Sequence, residues 1–198
     1  AESTSKMVAS IPLGGIAPFE GRAMDGVLGY DFISRFVVEI DYVGRRISFY
    51  DPKTYTYKGS GQELPLELDT SIAHVRATLA EPGHPPIDGL FTVDTGARSA
   101  LTLSRPFVEG SWLNEVAQKG ILATYGIGVG GESRSRVGRL GALKLGRFAI
   151  ENVVTGFAQD KGGAHASTNI AGNIGGEVLR QFTVVFDYSH SRMFLEPN

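Results

Sequence analysis

Phe91-Thr92-Val93-Asp94-Thr95-Gly96-Ala97 is the stretch on which the reading of this chain turns. The aromatic and β-branched run before Asp94 suits a buried strand, and Gly96, with no Cβ, lets the backbone bend sharply just after it. One carboxylate is thereby delivered to a strand end, where scaffolds display their chemistry. Taken alone, the same residues equally describe an Asp-Gly-type turn with a solvated acid.

Composition narrows the setting. With 198 residues, 42% of them hydrophobic, the chain can bury a core and holds one large domain, or one domain and part of another. The 26 glycines and the lack of long helical periodicity predict an all-β fold of short strands joined by tight turns. Acids and bases are mixed along the chain and the net charge is only −2, so no nucleic acid or anionic membrane is expected as a partner. Apolar runs are too short for a transmembrane helix. The absence of cysteine excludes disulfides, a thiolate nucleophile and a Cys-based metal site.

The two ends of the chain resemble each other. Asp25 to Arg46 aligns without a gap on Ala171 to Arg192, with identities at Gly26/Gly172, Gly29/Gly175, Phe36/Phe182, Val38/Val184, Asp41/Asp187, Tyr42/Tyr188 and Arg46/Arg192, an offset of 146 residues (172 − 26). The apolar pattern is in register as well, which predicts an internal duplication. On that reading residues 1–52 are the back half of a preceding related lobe, or its relic, residues 53–61 are a linker, and residues 62–198 form a complete lobe. An acid matching Asp94 would fall roughly 52 residues before Ala1 (94 − 146).

Between these ends the pattern predicts a strand over residues 8–13 and a buried strand end at Gly26 to Gly29. One or two helical turns follow from Tyr30, then a hairpin from Phe36 to Tyr50. Strands are expected at 64–68, 72–79, 101–103, 140–145, 148–150 and 153–157, with a short helix within 106–120 in which Trp112 packs. Gly126, Gly128 and Gly131 formally satisfy a G-x-G-x-x-G fingerprint. No helix pattern follows Gly131 and no βαβ alternation surrounds it, so a mobile Gly-rich β-hairpin fits better.

With Asp94-Thr95-Gly96-Ala97 joined to the Gly172 to Gly175 turn and the Tyr125 to Gly131 hairpin, residues 60–198 resemble the retropepsin-like aspartic proteases of the pepsin superfamily. The apolar-apolar-Gly turn of that family stands as Val27-Leu28-Gly29 in the first repeat. In the second it reads Asn173-Ile174-Gly175, with Asn in an apolar position. The resemblance implies an all-β, closed barrel-like lobe with one or two short helices. It also implies an aspartic endopeptidase with Asp94 as the catalytic acid present here, supported by Thr95, Gly96, Ala97, Ile174 and Gly175. Thr95 would tie two active-site loops together through its hydroxyl. Tyr125, Gly126, Ile127 and Gly128 would form a flap over an extended peptide, and no cofactor or metal is implied.

By the same resemblance Asp94 would share a water with a second Asp from another lobe, since two acids at close range titrate as a unit. That lobe would come from a homodimer mate or from a missing upstream segment. Ala97 has no hydroxyl to stabilise the carboxylate, which predicts a pH optimum nearer neutrality than in stomach-type enzymes. The alternative functions are a non-catalytic peptide-binding module and an inactive fragment of a two-lobed protease.

Other chemistry is less well supported by the residues. His74, His84, His165 and His190 lack zinc-ligand spacing and are expected at the surface. Ser99 and Ser104 lack a nucleophile elbow. Asp41 and Asp187 suit turn capping, and Arg134, Arg136 and Arg139 suit a solvated hairpin face.

Overall fold

The computed structural model describes Ile16, Gly21 and residues 24–128 and 131–198. The strand expected at 8–13 and the hairpin tip at 129–130 lie outside the described residues. The fold is all-β with four short helices among them: α1 (Tyr30–Ile33), α2 (Arg105–Glu109), α3 (Leu113–Gln118) and α4 (Gly176–Leu179).

Six strands close a barrel. They are β5 (Ile72–Ala80), β6 (Ile87–Val93), β7 (Leu101–Leu103), β9 (Gly131–Leu145), β10 (Phe148–Ala158) and β11 (Gly172–Ile174). They run in the order β5-β6-β11-β7-β10-β9, and β5 pairs again with β9 from Thr78↔Lys144 to Ala80↔Ala142, so the ring has no free edge there. Strand β4 (Glu67–Asp69) adds to β5, and β8 (Ile121–Gly128) adds to β9. Phe91, Leu79, Leu101, Leu103, Leu143, Phe157 and Ile174 fill the interior, each worth about 1.5–3 kcal/mol of transfer free energy. All three residues of β7 are buried because it lies inside the ring between β11 and β10.

A second sheet of five strands runs β2 (Arg46–Tyr50), β1 (Val37–Asp41), β12 (Phe182–Asp187), β13 (Arg192–Pro197), β3 (Gln62–Pro65). The run expected as one strand at 64–68 is split, because β3 pairs with β13 whereas β4 pairs with β5. The connector at 53–61 is packed rather than loose. Tyr57 stacks on Phe194 at 4.0 Å and donates from its hydroxyl to Glu196 Oε2 at 2.8 Å.

The hairpins β1–β2 and β12–β13 are built alike. Asp41 Oδ1 accepts from Gly44 N at 2.7 Å, and Asp187 Oδ1 accepts from His190 N at 3.3 Å. Arg46 and Arg192 reach back to the same two acids at 3.6 and 3.0 Å. Both turns also contain a left-handed residue that is not glycine, Arg45 at φ 52° and Ser191 at φ 49°. Strands β1 and β12 pair antiparallel with Glu39 opposite Val185 at the centre of the ladder. Under the 146-residue offset these are equivalent positions, so a local two-fold axis passes between them.

One expectation is corrected. Gly26 to Gly29, read as a buried strand end, pairs with no strand, and Val27 and Leu28 are 71% and 65% exposed. Its counterpart β11 is buried because β6 and β7 flank it, and no such pair flanks Gly26 to Gly29 among the described residues. The helix expected within 106–120 is two helices, interrupted at Gly110 to Trp112. There Trp112 donates from Nε1 to the Pro85 carbonyl at 3.0 Å and stacks on His84.

Candidate active site

Asp94 leaves the end of β6 where three strands meet. β11 lies between β6, to which it is parallel, and β7, to which it is antiparallel, so the loop from 94 to 100 must cross the end of β11. Backbone hydrogen bonds fix that crossing at its two ends and its middle. Asp94 N donates to Ile174 O at 2.9 Å, Gly175 N to Ala100 O at 3.0 Å, and Gly176 N to Ala97 O at 2.7 Å. A Cβ at Gly175 would collide with the Ser99 carbonyl, so this close approach requires glycine there. Ile174, 1% exposed, anchors the strand in the core.

The half-buried Asp94 carboxylate is held by three donors. Oδ1 accepts from Gly96 N at 2.9 Å and Ala97 N at 3.1 Å, and Oδ2 accepts from Asn173 Nδ2 at 3.2 Å. The Ala97 backbone amide, with Asn173, thus provides hydrogen bonds at a position whose side chain lacks a hydroxyl. Two carboxylate oxygens offer about four lone-pair sites, so acceptor capacity remains for a water or a second acid.

Asp94 and Thr95 line a cavity of about 450 Å³ with Leu28, Ile47, Phe49 and Ile72. Thr95 is exposed. Asp94 is the only carboxylate among the described residues lining that cavity.

Other expected site residues lie elsewhere. Tyr125, Gly126 and Ile127 are on β8 and do not line the Asp94 cavity, and Gly128 ends the strand. The Tyr125 ring packs against Gly156 and its hydroxyl donates to Val154 O at 3.3 Å. Burial pushes this phenol up to about 12, against a hydrogen bond from the Ala100 backbone. Gly126, Gly128 and Gly131 all fall in the β8–β9 hairpin.

Two neighbours of the acid escaped the sequence reading. Asn173 stood out only as a departure from an apolar pattern, and its amide turns out to bond the Asp94 carboxylate. His165, expected at the surface, is half-buried. Burial pulls its pKa down, opposed by the charges of Asp160 and Asp94. Among the described residues no cluster of metal-ligating side chains forms.

No family model matches the chain, and no curated protein matches its sequence. Among solved structures, a retropepsin-like aspartic protease from Rickettsia conorii is similar at a TM-score of 0.49 and 15% identity, covering 70% of this chain and 100% of that chain.

Proposed function

We propose that residues 62–198 are the acid-bearing lobe of an aspartic endopeptidase, with Asp94 as one of two catalytic carboxylates. The observation that carries this reading is the position of Asp94. It stands at a strand end on a loop fixed to β11, with three donors on its oxygens and one side open to an apolar cavity.

In the chemistry proposed, a water sits between Asp94 and a second acid. One carboxylate takes a proton as the water oxygen attacks the scissile carbonyl carbon, and the other, protonated, donates to the carbonyl oxygen. The tetrahedral species then collapses as a proton passes to the leaving nitrogen. Two acids are needed because like charges at that range cannot both ionise, which leaves one as base and one as acid. Such acid–base help is worth about 10²- to 10⁴-fold. The substrate would be an extended peptide under the β8–β9 hairpin, paired strand to strand.

The test is cleavage of an unstructured protein from pH 3 to 8 by the wild type and by Asp94→Asn, with the oligomeric state recorded. Cleavage that vanishes in the variant supports the reading. Cleavage that survives it, from purified protein, rules Asp94 out. Peptide binding without cleavage in any assembly would leave the non-catalytic module.

A further inference from the structure

One rung of the barrel wall beside Asp94 is polar. Thr92 on β6 lies opposite His74 on β5 and beside Asn173 on β11, and Asn173 lies opposite Thr102 on β7. The adjoining rung, Val75, Phe91, Gly172 and Leu103, carries no polar side chain and faces the core. Within the polar rung His74 Nδ1 lies 3.2 Å from Thr92 Oγ1, and Asn173 Nδ2 donates to Asp94 Oδ2 at 3.2 Å. Thr92 and Asp94 are two residues apart, so they leave the chain on the same face, and both line the cavity of about 450 Å³.

His74 is the member of this rung that the acid–base chemistry leaves unused. It is 3% exposed, and a buried ring nitrogen without a partner is costly, so the bond to Thr92 holds both side chains in place. Burial pulls the His74 pKa down, opposed by the charges of Asp69 and Glu67, and the ring is neutral at pH 7. A neutral imidazole has one N–H and one acceptor nitrogen. Strand β4, which carries Glu67 and Asp69, lies on the other edge of β5 from β6. Their charges favour the ring proton on Nε2, away from Thr92, and leave Nδ1 as the acceptor.

We infer that Thr92 is a specificity-determining residue of the Asp94 cavity and that His74 positions it. The Thr92 hydroxyl donates to His74 Nδ1, which leaves the two acceptor sites of its oxygen for a ligand. A peptide seated beside Asp94 is therefore selected for a hydrogen-bond donor, a serine or threonine hydroxyl, on the side chain that faces the barrel wall. Neighbouring side chains of an extended peptide point to opposite sides. The residues flanking that hydroxyl then meet Leu28, Ile47 and Phe49 on the other side of the cavity and are apolar. The choice of a peptide as ligand rests on the peptidase reading; the direction of the Thr92 hydroxyl does not.

The test is an NMR titration of the chain, with its histidine rings labelled with ¹⁵N, at pH 7. The probes are acetyl-Phe-Thr-Phe-amide and acetyl-Phe-Val-Phe-amide, which differ by one hydroxyl. His74 Nδ1 should carry no proton, and the Thr peptide should bind about fivefold more tightly than the Val peptide, the usual worth of one hydrogen bond. Thr92→Val keeps the shape of the side chain and should erase that preference. His74→Asn, which can place an amide oxygen where Nδ1 stands, should retain it, and His74→Leu should lose it. A proton on Nδ1, equal affinities, binding of neither peptide, or a preference that survives Thr92→Val overturns the inference. The readout is binding, so a Thr preference in a protein that never cleaves leaves this inference standing and sinks the peptidase reading. Cleavage without the preference sinks this inference alone.

Discussion

Hairpins β1–β2 and β12–β13 have the same acid–arginine pair and a left-handed residue at the same place in the turn, yet one is sealed against a barrel and the other faces an open cavity. The lesson is that local sequence sets the backbone of a hairpin, whereas burial of its face is set by what lies across from it. Equivalent substitutions in the two hairpins therefore separate these contributions.

The largest expected difference is at Met193 and Ile47. Met193 is 1% exposed and Ile47 57% exposed. Met193→Asp places an unpaired charge in the core, at a cost above about 4 kcal/mol, and should abolish the cooperative urea transition. Ile47→Asp should leave the midpoint of this chain nearly unchanged. A loss of folding in both variants would show that the first hairpin's face is already covered.

Next come the turn acids. The Asp187 side chain is 1% exposed and that of Asp41 is 22% exposed. Burial alone would push the Asp187 carboxyl up, but hydrogen bonds from Ser189, His190 and Arg192 outweigh it and hold the acid below its ordinary 3.8. A depressed folded value stabilises the native state above the unfolded value and ceases to do so as pH falls through the folded one. Asp187→Asn should thus cost about 3 kcal/mol at pH 7, and its deficit against wild type should shrink as pH drops below about 4. Asp41→Asn should cost about 1 kcal/mol. Urea midpoints measured at pH 7 and pH 3 check both statements.

Much of this was legible in the sequence. The alternation of β5, the short strand before Asp94 and the Asp-Tyr turns all rest on local patterns that survive in the folded chain. Val27 and Leu28 were misread because an apolar pattern alone does not fix burial, which depends on flanking strands, and none flanks them among the described residues. Barrel closure through β5 and β9 was not legible either. It joins residues more than 60 positions apart in sequence, such as Thr78 and Lys144, and no local period encodes such a pairing. The bond from Asn173 to Asp94 escaped for a related reason, since a lone amide in an apolar turn signals nothing until its partner is placed.

Asn173 also separates the two hairpin units at the site itself, because its equivalent under the offset is Val27. Asn173→Val converts the second unit to the first and removes the donor to Asp94 Oδ2. In whichever assembly cleaves peptides, kcat/KM should fall about tenfold, or ~1.4 kcal/mol, with little change in thermal midpoint. An unchanged rate would assign the amide a purely structural role.

The smallest effect should be the one the two hairpins share. Arg45 and Ser191 are both exposed and both left-handed, at φ 52° and 49°. The strain belongs to the turn rather than to its surroundings. Asn tolerates this conformation better than Arg or Ser, because its short amide can bond locally. It also avoids the extra chain entropy that Gly would add to the unfolded state. Arg45→Asn and Ser191→Asn should each raise stability by about 0.5 kcal/mol, and by the same amount within error. Gains that differ between the two sites would mean that the barrel beneath β12–β13 reaches the turn and sets its backbone. In that case the hairpins would be alike in outline only.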